Sequence, residues 1–600
     1  MGVPSAPRTF RVYPPSLAGG EVGSGRGMGE PSAGFHAEYP VLRSFRIQTY
    51  CAAAAILLTI IAAARVASTY HVFSETVDEQ FHVTAGMEWL DKGTYTYETL
   101  HPPLARVAVA SGPYLAGIRG DSLPSGEYVG EKIFSARGQY SHNLALARAG
   151  TLPFLLAAIL LVWAWTRQLF GHRAALAAVL LFTNLPPVLA HAGLATTDMA
   201  VTATVFGALL VFINWLERPS WFWSCLLGAA VALAVLCKFS ALVFLPACGL
   251  AILTLRGLWP KRSEIGPGPA AYRRSVGLLI SLALGFLIIW GAYRFSVGQV
   301  SSAEHRPHPI IDRVLGATGI LHDSAYFVVE SKVPAPELFR GSLEVGWKNA
   351  RGFDSYLMGR IYPYGRWYFF PVALLVKTPI AFLILAVIGG AALIRGAWRR
   401  NDYRWVAPLV AAIAVLLVVL PSNLNYGVRH ILPIYPLLAI VAGVGVATLW
   451  DLGPFPRLGR VAAVVLLLWQ LISSTRAHPD YLAYFNHFAG SHPEEILVDS
   501  DLDWGQDLLR LSETVRARKI DELTLGYFGT AEPSQHQLPP LKRLDPCQPA
   551  TGWVAASETL IRMRLTSGKP QCVPYAWLEA FRPVGRVGHS IRLYYIPGTQ

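Results

Sequence analysis

Residues 77–106 read VDEQFHVTAGMEWLDKGTYTYETLHPPLAR, and the rest of the chain is arranged around this polar stretch. Glu75, Asp78, Glu79 and His82 follow i, i+3, i+4, i+7 spacing, so one face of a helix would carry three acids and an imidazole. Three carboxylates this close repel one another in water. Such a cluster is typically paired, holds a cation, or keeps one member as a base. A solvated helix start, with acids near the positive N-terminal end, is the alternative.

The composition is that of a membrane protein. Hydrophobic residues make up 53% of the 600 residues and charged residues only 15%, and apolar runs long enough to cross a bilayer recur along the chain. The net charge of +13 does not indicate nucleic acid, because Lys and Arg are spread over short loops between apolar runs. The six cysteines form neither a CxxC pair nor a Cys/His cluster, so no metal site is expected.

Hydropathy predicts a mostly helical, polytopic fold with about eleven spanning helices. The predicted spans are Tyr50–Ser68, Ala149–Leu169, Ala174–His191, Ala200–Leu216, Phe222–Cys237, Ala241–Leu258, Val276–Tyr293, Phe369–Ile394, Trp405–Leu420, Ile431–Trp450 and Val461–Ser474.

The basic loops predict the orientation of these spans. With a cytoplasmic N-terminus, every short loop on the cytoplasmic side carries arginine or lysine, as the positive-inside rule requires. Residues 1–42 are then a disordered cytoplasmic tail, and residues 43–475 are the membrane domain with external loops 70–148 and 294–367. Residues 476–600 form an extracytoplasmic domain. The protein is expected in the cell membrane.

The C-terminal region is predicted to be a small α/β domain. Strands are expected at Ile496–Asp499, Glu522–Phe528, Trp553–Ala556 and Ile591–Ile596, with an amphipathic helix at Gln506–Lys519. Cys547 and Cys572 lie in this region, in a compartment that permits disulfides. Their even number and shared location favour pairing.

The run DE-x-x-H at 78–82 followed by HPPLAR at 101–106 resembles the first extracytoplasmic loop of the protein O-mannosyltransferases. These belong to the wider GT-C class of multispanning glycosyltransferases that use lipid-linked sugars, which includes the aminoarabinose transferases. The resemblance implies a GT-C-like fold and transfer of a mannose-like monosaccharide from a polyprenyl-phosphate donor, with inversion. The acceptor would be a hydroxyl on protein, or one on a lipid or glycan.

The resemblance also implies roles for particular residues. Asp78 would be the base that deprotonates the acceptor, and Glu79 a second catalytic acid that either orients the acceptor or supports Asp78. The candidate groups on the side of the donor phosphate are His101, Arg106, Lys377, Arg429 and His430, and supporting candidates are His82 and Asp198. A phosphate monoester leaves without needing a metal, so no cofactor and no metal are expected.

Two of these positions, Lys377 and Asp198, carry alternatives. Lys377 is read as lying two turns inside an apolar helix, where a cation faces either a lipid phosphate or a carboxylate from another helix. Arg429 and His430 are expected to head a span whose N-terminus binds phosphate. Asp198 either caps its helix or supports the site. A further lysine, Lys238, is read as an anchor that snorkels to the membrane surface.

Residues 499–507, DSDLDWGQD, resemble the start of a calcium loop, but Trp504 stands where glycine is needed. An EF-hand is therefore excluded, and a structural or acceptor-binding turn is favoured over a D-x-D metal site. A transporter of lipid-linked sugars is the non-enzymatic alternative. The polar residues cluster at the ends of helices and in large loops, which favours an enzyme.

Overall fold

The computed structural model describes residues 40–123, 129–259, 269–301, 308, 311–312, 315–316, 318–566 and 572–598. The predicted tail, residues 1–42, lies almost wholly outside them. The chain divides after Ile47, and apart from the start of the first apolar helix the features below lie in Gln48–Gln600.

Apolar helices dominate the described residues, as predicted. Seven are long and apolar enough to cross a membrane: Ile47–Ala67, Tyr140–Phe182, Asp198–Glu217, Ala241–Leu258, Tyr272–Ala292, Ile380–Arg400 and Pro456–Arg476. Three shorter apolar helices are Trp221–Cys237, Ala407–Val419 and Ile434–Trp450. The chain is an integral membrane protein of mostly helical fold, although the count of eleven spans is not confirmed.

Two predicted spans are broken by proline. The span expected at Ala174–His191 divides into the end of the helix Leu152–Phe182 and the short helix Pro186–Ala192. The span expected at Phe369–Ile394 divides into Phe369–Lys377 and Ile380–Arg400. A residue that precedes proline is disfavoured in helical conformation, and Thr378, before Pro379, is extended. Hydropathy alone does not register such breaks.

The first polar loop folds into helices that share a core of their own. Its helices are Glu79–Asp91, Pro103–Leu115, Gly130–Ser135 and Tyr140–Ala149. Val83, Met87 and Val109 are buried there with Phe134. The backbones of the first two helices touch at Gly86, where an added Cβ would lie 2.0 Å from the carbonyl oxygen of Arg106. The loop is thus a packed layer and not a flexible connection.

The second polar loop contains two small hairpins and two helices. Strand β1, Val297–Gln299, pairs antiparallel with β2, Lys332–Pro334, and β3, Ser355–Leu357, pairs antiparallel with β4, Arg360–Tyr362. The helices are Ile320–Glu330 and Pro336–Arg351.

The C-terminal region contains a five-stranded sheet, which confirms the predicted α/β character. The strands are β5 Leu523–Gly526, β6 Leu541–Arg543, β7 Gly552–Ser557, β8 Gly585–Val587 and β9 Ile591–Ile596. Their order is β6-β5-β7-β9-β8, with β5 parallel to β6 and β7 and the other pairs antiparallel.

Two further predictions about this region have opposite outcomes. The strand expected at Ile496–Asp499 is wrong, because this segment is not part of the sheet and leads into the short 3-10 helix Asp499–Asp501. The expected pairing of cysteines is confirmed, since Cys547 and Cys572 form a disulfide. The helix Leu508–Ala517 lies where an amphipathic helix was predicted.

Substituting Gly86 by alanine should destabilise the protein, because the methyl group cannot fit against the carbonyl of Arg106 without separating the two helices. Overpacking of this kind costs about 1–3 kcal/mol. The measurement is the melting temperature in detergent. Gly346→Ala is the matched control, since that helical glycine has open space at the Cβ position. A Gly86→Ala variant as stable as Gly346→Ala would contradict the close packing.

Candidate functional site

The centre of the candidate site is an ion pair between Asp78 and Arg429, which are 351 residues apart in sequence. Nη1 of Arg429 donates to Oδ2 of Asp78 at 2.5 Å. Asp78 precedes the helix Glu79–Asp91, and its side chain forms no capping bond there. The side chain of Asp78 is 27% exposed and that of Arg429 10%. The carboxylate is therefore the more accessible partner.

The guanidinium of Arg429 is fixed by two further contacts. Its Nε donates to the carbonyl oxygen of Tyr426 at 3.3 Å. Its Cζ lies 4.1 Å from the ring centroid of Trp504, as in a cation–π contact. The helix N-terminus expected at Arg429 and His430 is wrong, because both residues lie in the short 3-10 helix Val428–Ile431 and the apolar helix begins only at Ile434. Arg429 is thus placed by side-chain contacts.

A second ion pair, between Asp198 and Lys238, lies within electrostatic range of the first. Nζ of Lys238 donates to Oδ1 of Asp198 at 2.6 Å, and both side chains are buried. The charge of Arg429 also acts on Asp198. The snorkelling expected for Lys238 is wrong, since this lysine turns inward to a carboxylate. Asp198 begins its helix but serves as an ion-pair partner there.

Three histidines of the prediction lie near these pairs, with His82 buried and His101 and His430 half-buried. The rings of His82 and His101 meet edge to face, with centroids 5.0 Å apart. The ring of His430 stacks on Phe370 at a centroid distance of 6.3 Å. Burial, followed by the charge of Lys238, lowers the pKa of His101 to about 3. Burial also holds the pKa of His82 and of His430 well below the usual range. All three imidazoles are therefore neutral near pH 7.

Glu79 is not open to a substrate. Both of its oxygens accept from Arg148, each at 2.8 Å, and Oε1 also accepts from the backbone N–H of Ala195. Arg148 donates its other hydrogen bonds to the carbonyl oxygens of Tyr70, Phe73 and Ser74. This fully buried ion pair therefore joins the end of the first apolar helix to the first loop. The main chain is thus fixed at the residue that follows Asp78.

Arg106 does not face the site, which corrects its expected contact with the donor phosphate. Nε of Arg106 donates to Nδ1 of His82 at 3.1 Å, and Nη1 donates to the hydroxyl of Tyr95. Nη2 forms an ion pair with Glu98. This arginine is fully buried, and its bonds hold the loop that carries His101 against the helix Glu79–Asp91.

Lys377 is likewise bound by the protein. Nζ of Lys377 donates to the carbonyl oxygens of Leu482, at 2.7 Å, and Asp501, at 2.5 Å. It also lies 4.1 Å from the ring centroid of Phe485. The lysine is the last residue of the helix Phe369–Lys377 and not two turns inside a longer one. It anchors the chain after the last spanning helix.

The C-terminal run Asp499–Asp507 runs alongside the first loop. The backbone N–H of Ser74 donates to the carbonyl of Gln506, and that of Val77 donates to the carbonyl of Trp504. These bonds place the indole of Trp504 beside Arg429. Among the described residues, no group of three or more His, Cys, Asp or Glu is arranged to hold a metal ion.

Sequence reasoning missed Lys238 and Trp504 as site residues. A lysine between two apolar runs is a signal for an inward ion pair as much as for snorkelling. Trp504 carries no such signal, because its role depends on a contact with Arg429, distant in sequence.

Comparison with known proteins supports the resemblance seen in the sequence. Residues 142–266 match the family of dolichyl-phosphate-mannose-protein mannosyltransferases, which confirms the expected resemblance over these residues. The match lies outside the motifs of residues 78–106 that suggested it. None of the curated protein sequences matches this chain.

This chain is also similar to solved structures, of which two are described. The archaeal oligosaccharyltransferase AglB from Archaeoglobus fulgidus, in complex with an inhibitory peptide and a dolichol-phosphate, is 14% identical, with a TM-score of 0.46 over 73% of this chain and 56% of that one. This chain thus spans just over half of that relative. ArnT from Cupriavidus metallidurans, bound to undecaprenyl phosphate, is 14% identical, with a TM-score of 0.42 over 91% of this chain and 99% of that one.

Glu75 is a fully buried acid whose two carboxyl oxygens have no hydrogen-bond partner among the described residues. Burial, followed by the charge of Glu79, raises its pKa to about 8. A raised pKa in an acid means that the folded state binds a proton that the unfolded state releases. Stability conferred by the protonated group is therefore lost as pH rises from the ordinary glutamate value towards 8.

Glu75→Gln should remove this pH dependence, because glutamine is neutral and of the same shape. Each pH unit in the window costs the wild type up to about 1.4 kcal/mol, so the variant should be the more stable protein at about pH 9. Melting temperatures in detergent across the pH range provide the measurement. Glu522→Gln, at an exposed position, should follow the wild type. Parallel curves for Glu75→Gln and wild type would show that Glu75 is ionised in the fold.

Proposed function

We propose that this chain is a membrane glycosyltransferase that moves a monosaccharide, mannose-like, from a polyprenyl-phosphate donor to an acceptor hydroxyl with inversion. The observation that carries the proposal is the accessible carboxylate of Asp78, bound to Arg429, with the pair Asp198–Lys238 in electrostatic range. Acids and cations side by side at the ends of apolar helices suit a reaction in which a proton is taken up while a phosphate departs.

Asp78 is the proposed base. It would accept the proton of the acceptor hydroxyl while the hydroxyl oxygen forms a bond to the anomeric carbon. The bond from that carbon to the phosphate oxygen breaks at the same time, and its electron pair leaves with the phosphate. Attack from the face opposite the phosphate inverts the anomeric configuration. Glu79, bound to Arg148, keeps Asp78 in place.

The proposed phosphate site is formed by Arg429 and Lys238, with His101 and His430 as neutral hydrogen-bonding groups. Both cations are paired with carboxylates. A bound phosphate would share these cations with the acids. Arg106 and Lys377 leave the proposed set, because the protein itself binds them.

The orientation of the chain remains part of the proposal. The basic loops support a cytoplasmic N-terminus and an external first loop. The acceptor would then be modified outside the cytoplasm, where a lipid carrier supplies the sugar. We also propose the division into a membrane domain, residues 43–475, and an external domain, residues 476–600.

An acceptor on a lipid or glycan is the second candidate. The C-terminal sheet is a single mixed sheet of five strands and differs from the β-trefoil domain expected of eukaryotic protein O-mannosyltransferases. That difference favours an acceptor other than protein. Mass spectrometry of the product formed from a synthetic polyprenyl-phosphate mannose and membrane extract distinguishes the acceptor classes.

Asp78→Asn should lower kcat by roughly 10²–10⁴-fold, the usual contribution of a general base, and change the Michaelis constant for the donor much less. Transfer from a synthetic polyprenyl-phosphate sugar by the purified protein is the assay. Asp121→Asn, at an exposed position in the same loop, should retain wild-type turnover. Continued lipid movement by Asp78→Asn, with no sugar transfer by the wild type, would instead favour a transporter.

Arg429→Ala should raise the Michaelis constant for the donor, because it removes a charge-assisted hydrogen bond to phosphate worth roughly 1.5–3 kcal/mol. This corresponds to a change of about 10–150-fold. Arg360→Ala removes an exposed arginine of the second loop and serves as the control for general loss of positive charge. Unchanged donor affinity in folded Arg429→Ala would leave the arginine with a purely structural role.

A further inference from the structure

The four acids of the run Asp499–Asp507 have different environments. Oδ1 of Asp501 accepts from the backbone N–H of Val428 at 3.0 Å. Oδ2 of Asp503 accepts from the backbone N–H of Thr559 at 2.9 Å. These two acids therefore hold neighbouring segments together.

Asp507 is structural as well. Its Oδ2 accepts from the hydroxyl of Ser590 at 2.7 Å, and its Oδ1 accepts from Nη1 of Arg510 at 3.2 Å. Asp499 differs from the other three because the bond to its carboxyl comes from the next residue, the backbone N–H of Ser500, and it forms no ion pair within the described part of the chain. Its backbone N–H donates to the hydroxyl of Thr559, which fixes the main chain and leaves the carboxyl available.

The main chain brings Asp499 to the centre of the site. The next residue, Ser500, donates its hydroxyl to the carbonyl oxygen of Tyr426, which is the same oxygen that accepts from Nε of Arg429. The approach is close because Gly427 adopts φ +106° and has no side chain; a Cβ there would lie 2.6 Å from Oγ of Ser500. Trp504, five residues after Asp499, covers the other side of Arg429.

The charged and titratable groups that act electrostatically on Asp499 come from three segments. Asp78 belongs to the first loop, Arg429 and Tyr426 belong to the loop before the helix Ile434–Trp450, and Asp501 belongs to its own segment. Burial raises the pKa of Asp499 to about 7, with the charges of Asp78 and Asp501 acting in the same direction and that of Arg429 opposing them. A carboxyl with this pKa takes up and releases a proton near neutral pH.

We propose that Asp499 is a further catalytic residue, which shares with Asp78 the proton removed from the acceptor. The inference rests on the proposed glycosyl transfer. As the acceptor oxygen bonds to the anomeric carbon and the phosphate leaves with the electron pair, one proton enters the pair of carboxyls. It comes to rest on Asp499, because the hydrogen bond from Arg429 favours the ionised form of Asp78. Asp499 returns the proton to solvent before the next turnover.

This assignment predicts a particular pH profile. A protonated Asp499 cannot accept a further proton, so kcat/KM of the wild type should fall as pH drops through about 7. Asp499→Asn should lower kcat by at least about 10²-fold, leave the Michaelis constant for the donor within about twofold, and abolish this acidic limb. Asp499→Glu, which keeps the carboxyl, should retain the limb with intermediate activity.

The experiment measures transfer from a synthetic polyprenyl-phosphate mannose by the full-length protein in detergent, at pH values on both sides of neutrality. Asp521→Asn, an exposed aspartate of the same region, is the matched control and should behave as the wild type. Melting temperatures establish that each variant is folded.

The possible outcomes distinguish the catalytic role of Asp499 from the proposed glycosyl transfer. Wild-type turnover and an unchanged limb in folded Asp499→Asn would overturn the role of Asp499 while leaving the glycosyl transfer intact. A wild type that transfers sugar without an acidic limb near neutral pH would overturn it too, even if neither variant folds. A wild type that transfers no sugar would refute the proposed function, and this inference with it.

Discussion

The structure depends on the rule that a buried charge needs a partner. The polar stretch of the first loop carries acids and an imidazole at helical spacing, and the fold resolves their repulsion by giving them separate arginines. Arg429 binds Asp78, Arg148 binds Glu79, and Arg106 binds His82. Three of the four members of the predicted cluster thus have an arginine each, while the carboxyl of Glu75 has no hydrogen-bond partner among the described residues.

The ion pair between Glu79 and Arg148 connects the first loop to the segment that follows the first apolar helix. It is fully buried, and Arg148 also holds three carbonyl oxygens after the first apolar helix. Removing one partner of such a pair leaves an uncompensated charge, which typically costs about 3–5 kcal/mol. The position of Asp78, next in sequence to Glu79, follows from this anchor. Asp78 remains partly exposed, while the adjacent Glu79 forms the buried structural ion pair.

The site is assembled from segments that are far apart in sequence. Asp78 comes from the first loop, Arg429 from the loop before the helix Ile434–Trp450, and Trp504 from the C-terminal region. Lys377 serves this assembly in another way, since its bonds to two carbonyl oxygens hold the C-terminal chain against the membrane helices. The C-terminal region is therefore part of the site and not a separate cap.

The amino-acid sequence by itself determined the membrane character, most apolar helices and the α/β region, and it singled out Asp78 and Arg429 as candidate site residues. These features depend on local composition and spacing, because the length of an apolar run decides whether a helix can span the bilayer and the period of apolar residues decides between helix and strand. Only the tertiary structure decided which charges meet: the roles of Lys238, Arg106 and Lys377 depend on partners up to 124 residues away. The turn at Asp499 also depends on contacts with distant residues, whereas the helix breaks before Pro186 and Pro379 follow from proline itself. Pairing of buried charges is a long-range property, so no local pattern specifies it.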